Sequence, residues 1–223
     1  MATGFNDDLD SVMKIIIALL FIVLSFTSAN AAWTINSVEN PRTINGVYYP
    51  DGVNGVADGY AETEDDAYAE TNQNDDAYLY AGGQAQSFTS GGGRVSKVTF
   101  YLKKTGSPTG NAYAKIYAHS GTYGTSSIPT GSALGTSGAL DVSTLDTSYA
   151  NIDLTFTGAN RVILTDGTYY VVTLEFAGGD ADNRVNIGQD TTSSSHDGND
   201  AYTDDPWTPE ADNDLCFYVY VIR

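Results

Sequence analysis

The chain of 223 residues carries 28 acidic against 10 basic residues, a formal net charge of −18, and only one cysteine. That balance repels a phosphate backbone, which argues against a nucleic-acid partner and makes cations the natural counterions. The length allows a single domain with a substantial core, and a lone Cys216 excludes an intrachain disulfide framework, so packing must supply the stability.

Met13-Lys14, the apolar run 15–26 and the small residues Thr27-Ser28-Ala29-Asn30-Ala31 have the layout of a signal peptide cut after Ala31. Asp7, Asp8 and Asp10 have the wrong sign for the positive region of such a peptide, which favours Met13 as the true start. The alternative is a retained membrane anchor, but the run falls short of the ~20 residues that span a bilayer. Removing residues 1–31 takes away three acidic residues and one basic one, so the exported chain stays strongly acidic. It is expected outside the cell, free or associated with a surface, without stable membrane insertion.

Residues 32–83 form an acidic, Tyr-rich segment read as an arm ahead of the domain. Between Arg42 and Arg94 there is no positive charge, while Asp51, Asp58, Glu62, Glu64, Asp65, Asp66, Glu70, Asp75 and Asp76 are all negative. Gly59-Tyr60-Ala61-Glu62-Thr63, Ala67-Tyr68-Ala69-Glu70-Thr71 and Ala77-Tyr78-Leu79-Tyr80 make an imperfect repeat, too short and uneven for a solenoid. Short strands or an extended arm are expected, with tyrosines on the domain and acidic turns in solvent. A calcium site, or a strand lent to a neighbouring subunit, is the alternative.

From residue 84 the pattern has period two. Val98, Phe100 and Leu102 should face a core, with Thr99, Tyr101 and Lys103 outside. Ser107-Pro108-Thr109-Gly110-Asn111 reads as the turn of a hairpin into Ala114, Ile116 and Ala118, because Pro presets φ and Gly and Asn tolerate positive φ. A Gly/Ser/Thr loop is predicted over 119–137. Strands follow at 149–156, 162–164, 169–176, 185–189 and 215–222, with a polar loop through His196 and Trp207. About nine strands and no helix after the signal peptide predict an all-β fold: a two-sheet antiparallel sandwich, or jelly roll, over 84–223.

Gln86-Ser87-Phe88-Thr89, Phe100-Tyr101-Leu102, Ser107-Pro108-Thr109-Gly110-Asn111, Ile116-Tyr117, Gly167-Thr168-Tyr169-Tyr170 and Gly178-Gly179-Asp180 together resemble the choice-of-anchor β-sandwich modules. Those modules occur in secreted and surface proteins of prokaryotes and in phage-type virion proteins. The resemblance covers 84–223 and implies an extracellular jelly roll similar in shape to carbohydrate-binding modules. It carries no catalytic residues to this chain.

The residues themselves give little support to catalysis. His119 and His196 lack metal-ligand spacing and no serine sits in a nucleophile elbow. Glu175 stands in an apolar strand but has no second carboxylate placed for glycoside hydrolysis. Cys216, in an apolar run, reads as a small buried hydrophobe. The candidate surface is 190–214, where Trp207 and Tyr202 would offer sugar-stacking rings and His196 and Asn199 polar partners. Trp207 could equally plug one end of the sandwich. Asp180, Asp182, Asp197 and Asp200 are candidate oxygen ligands for calcium. Two functions are expected side by side: a non-catalytic module that binds glycan or a cell or virion surface, and a structural subunit of an extracellular filament or sheath that assembles through the arm.

Overall fold

The computed structural model describes residues 43–44, 47–48, 61–203 and 206–223. The signal-peptide segment and the rest of residues 32–60, with the first copy's Gly59 and Tyr60, lie outside the described residues. Thr43–Ile44 (β1) and Val47–Tyr48 (β2) pair antiparallel within a unit that ends at Pro50. The other strands belong to a second unit beginning at Asp51.

In chain order these are β3 (Glu62–Tyr68), β4 (Asp75–Leu79), β5 (Gly82–Ser90), β6 (Gly93–Thr105), β7 (Asn111–Ser120), β8 (Ile128–Thr136), β9 (Leu140–Asp141) and β10 (Ala150–Thr155). There follow β11 (Ile163–Leu164), β12 (Thr168–Phe176), β13 (Arg184–Asp190), β14 (Asp200–Thr203), β15 (Trp207–Glu210), β16 (Asp214–Leu215) and β17 (Phe217–Ile222). They build two antiparallel sheets, as the period-two pattern predicts.

The first sheet is arranged around β6. On one side lie β10 and β11; on the other β17 and β13 share its length, and β3 and β4 pair outside them. The second sheet runs β15-β14-β5-β12-β7-β8, with β9 also on β7. β12 is its centre, as a long apolar strand should be. Between the sheets Phe88, Val98, Phe100, Leu102, Ile116, Leu174 and Phe217 are fully buried. Each contributes roughly 1.5–3 kcal/mol of transfer free energy.

Three expectations change. The turn at 107–110 does not close a hairpin: β6 belongs to one sheet and β7 to the other. Turn residues encode a reversal of direction, and here the two apolar faces meet across the core instead of pairing edge to edge. Part of the predicted 119–137 loop is the edge strand β8, whose register on β7 jumps from Thr130 to Gly135, so residues 131–134 bulge outward. Pro129 and Gly131 suit an edge, where missing donors and bulges are tolerated. Finally, residues 62–79 of the supposed arm form β3 and β4, integral strands of the first sheet, and the strand count exceeds nine.

The acidic side chains of that segment are not simply solvated. Tyr149 donates to Asp76 at 2.6 Å, Lys103 pairs with Asp76 at 2.8 Å, and Tyr218 donates to Glu70. Asp65 and Asp66 accept from Ser90, Gly91 and Thr89 on and beside β5. Carboxylates here are the acceptors that tie β3 and β4 to the rest. Burial opposes ionisation of Asp76, but Lys103, Tyr149 and Asn186 outweigh it and hold the carboxyl below its ordinary range. Thr99, expected outside, is buried because Asp153 of β10 accepts its hydroxyl at 2.5 Å. Among the described residues no helix is long and apolar enough to cross a membrane.

Candidate functional site

A groove of about 400 Å³ opens on the outer face of the second sheet. Alternation fixes what faces it. Opposite Glu175 of β12 stand Gly83 on β5 and Tyr113 on β7, and opposite Thr173 stand Ala85 and Lys115. The β14–β15 hairpin adds Thr203 and, across from it, Trp207. Trp207 is half-buried and packs against a small apolar patch of Ala85, Val171 and Ala201. It therefore lies on a sheet face and does not plug an end of the sandwich.

Glu175 forms the polar floor. It accepts from Tyr117 at 2.8 Å and from Thr173 at 3.1 Å, and it pairs with Lys115. Burial first, then the neighbouring Glu175, pushes the Tyr117 phenol up, so it stays a neutral donor. Glu175 is the only carboxylate among the described residues lining the groove. The arrangement offers indole and phenol surfaces beside a charged pair and hydroxyls, the mixture that stacks an apolar ring face while hydrogen-bonding its rim.

Gly83 makes the groove possible. A Cβ there would stand 2.7 Å from the Trp207 ring and 3.0 Å from Glu175 Cγ. Because the obstructing atoms belong to side chains and not to backbone, Gly83→Ala should leave the fold intact and swing the indole out. In a Trp33→Phe background the remaining tryptophan should become more accessible to acrylamide with melting temperature nearly unchanged. Equal quenching would mean that Gly83 does not seat the ring.

Of the other predicted ligand residues, none joins Trp207. Tyr202 neighbours Thr203 on β14 and so points to the opposite face. His196 belongs to a buried polar cluster on the inner side, whereas Asn199 is held by Ser87 and Ser127. In the cluster Gln86 donates to Asp214 at 2.8 Å, Tyr68 donates to Asp190 at 2.7 Å, and His196 contacts Asp66 at 3.1 Å. The His196 Nδ1 accepts the Gly198 N–H at 3.0 Å, which leaves the proton on Nε2 to be donated to Asp66. Asn199 takes the Ser127 N–H at 3.0 Å and donates to the Asp200 carbonyl at 2.7 Å. Among the described residues no serine hydroxyl is bonded to His196, and Ser194 donates to Asp214 instead.

The four candidate calcium ligands are divided between different places. Asp180 accepts from the N–H groups of Asp182 and Asn183, both at 2.8 Å, within its own turn, and Asp182 is exposed there. Asp197 is exposed, whereas Asp200 is buried on β14 with Gln189 donating to it at 2.5 Å. Among the described residues no three His, Cys, Asp or Glu side chains are gathered to hold a metal ion. Cys216 is fully buried, and burial pushes its thiol up to about 12, consistent with an unreactive packing residue.

Periodicity could indicate that Tyr113, Lys115 and Tyr117 share a face. It could not show that Glu175 and Trp207, distant in sequence, would join them. No protein-family model matches this chain, and no curated protein matches it.

Proposed function

We propose that this chain is a secreted, non-catalytic β-sandwich module that binds glycan through the Trp207 groove. The observation that carries this reading is the half-buried indole beside Tyr113 and Tyr117, above a Glu175 floor already hydrogen-bonded in place. Such a floor is pre-organised, so little ordering cost falls on binding. The leader-like segment supports export, and the resemblance to choice-of-anchor modules agrees with a role at a cell or virion surface.

Affinity electrophoresis through gels containing starch, mannan, xylan or mixed-linkage glucan tests the site. Retardation by at least one polymer is expected, with Trp207→Ala losing it while melting at nearly the native temperature. A variant retarded as strongly as the native chain would remove the groove from the function.

A second reading rests on the sheet edges. Among the described residues β3 and β10 lie at edges of the first sheet and β8 and β15 at those of the second, and such edges suit strand addition by another copy, as a filament or sheath subunit requires. Light scattering that finds a monomer at high concentration, with calcium and with chelator alike, would reject it.

A further inference from the structure

We propose that Lys103 and Asn186 become joined by an isopeptide bond between β6 and β13, with Asp76 of β4 as the acid and base that carries the protons. The register places Lys103 directly opposite Asn186 on neighbouring strands. Residues paired in this way have Cβ atoms roughly 5 Å apart, within reach of a lysine that folds back over its partner. Asp76 gathers their reactive ends on one atom: its Oδ2 lies 2.8 Å from Lys103 Nζ and accepts from Asn186 Nδ2 at 3.0 Å.

The amide is oriented for attack. Asn186 is 1% exposed, and its Oδ1 accepts the Thr105 hydroxyl at 3.0 Å, a donor placed where negative charge develops when an amine adds to the carbonyl. Tyr149 donates to the other Asp76 oxygen at 2.6 Å, stacks on Tyr101 at 4.7 Å and has the Lys103 ammonium 4.4 Å from its ring centre. This cover limits the water that competes with the amine. The pairs at the other lysines bring no amide to the carboxylate. Asp153 beside Lys97 takes a hydroxyl from Thr99, and Glu175 beside Lys115 takes hydroxyls from Tyr117 and Thr173.

The charged pair is the resting state. Lys103 Nζ passes a proton to Asp76 Oδ2, leaving a neutral amine beside a carboxylic acid. The Nζ lone pair then forms a bond to Asn186 Cγ, and the Cγ–Nδ2 bond breaks as Asp76 gives its proton to Nδ2. The further proton that Nζ sheds passes through Asp76 to the departing ammonia. One amide replaces another, ammonium leaves, Asp76 is again a carboxylate, and no oxidant or reductant is needed. The product staples two strands covalently in a chain whose single cysteine provides no internal disulfide.

Peptide mass spectrometry on the full chain is the test. Trypsin, blocked at the acylated Lys103, should release residues 98–104 joined to 185–223, weighing one ammonia less than the two peptides apart. Lys103→Arg and Asp76→Asn should give separate peptides, and on denaturing gels the native chain should run ahead of both. The native digest decides even where a variant misfolds: peptides recovered only unlinked overturn the bond. A link that forms as fully in Asp76→Asn overturns the proton-carrying role of Asp76.

Discussion

Gly198→Ala is expected to destabilise the sandwich by roughly 3 kcal/mol, at the upper end of the usual cost of overpacking. A Cβ on Gly198 would overlap the Ser87 carbonyl oxygen and press against His196 Nδ1. Neither can withdraw cheaply. Ser87 is in β5, where its N–H donates to the Asn199 carbonyl at 3.0 Å and its hydroxyl accepts the Asn199 N–H at 2.9 Å. His196 is fixed by Asp66 on one side and the Gly198 N–H on the other. Moving the loop would leave these buried groups unpaired, at a cost larger than the clash alone. For a domain of this size the loss corresponds to a fall of about 6–12 °C in melting temperature. Gly138→Ala is the control, since its nearest obstacle is the Thr155 carbonyl oxygen at 3.8 Å, an ordinary contact. Matching melts for the two variants would show that the 196–199 loop does not clamp β5.

The same loop shows why the sequence reveals the sandwich more readily than the polar interior. Val98, Phe100 and Leu102 on β6, and Leu174 on β12, follow the alternation rule, and the structure buries them all. Burial of that kind depends on local periodicity, which a single strand displays. Gln86 and Asp200 occupy inward-facing positions too, but their polarity makes those strands look like loops or edges. Only a long-range partner reveals the reason: Asp214 for Gln86 and Gln189 for Asp200. The β14–β15 hairpin was hidden in the same way, its composition being that of a polar loop.

For the site, Trp207 was readable as an aromatic in a polar stretch, yet its partners were not. Tyr202, Asn199 and His196 are close to it in sequence but do not join it: Tyr202 faces the other side of β14 by alternation, His196 turns to Asp66 and Asn199 to Ser127. Tyr113, Lys115 and Glu175 reach it through strand pairing that no local pattern encodes. The acidic segment is hard to read from its composition for a related reason. A run of carboxylates without cations looks solvated, whereas phenols, hydroxyls and backbone N–H groups from β5, β17 and the strand-flanking loops supply its donors.

Stability should fall as pH rises from about 4 to about 8, and Asp200→Asn should remove much of that slope. Asp200 is 1% exposed, and among the described residues no N–H or O–H reaches its Oδ1. Burial first, and then Glu210 opposite it on β15 and Asp214 nearby, push its carboxyl up to about 8. A neutral Asp200 supplies the missing donor itself, toward Glu210, whose other neighbour Asn213 donates to it at 2.9 Å. The unfolded chain gives up this proton near the ordinary carboxylate value of 3.8. Between that value and about 8 the folded state binds more protons than the unfolded one, so each unit of pH costs up to about 1.4 kcal/mol until the folded group ionises. Asp214, raised chiefly by burial, adds to the trend. Asp190 opposes it only in acid: burial works against its ionisation, but Thr192, Tyr68, Ser193 and Asn74 hold the carboxyl low. Its contribution is therefore complete above the unfolded value and lost as pH falls below that. Melting temperature should peak in mildly acidic buffer and drop on the order of 10 °C by pH 8. An amide at position 200 keeps a donor for Glu210 and an acceptor for Gln189 without a proton to lose. Identical slopes for the native chain and Asp200→Asn would reject the shared proton. A rise in melting temperature with calcium, confined to alkaline buffer and absent from Asp200→Asn, would replace that proton with a divalent cation held between Asp200 and Glu210.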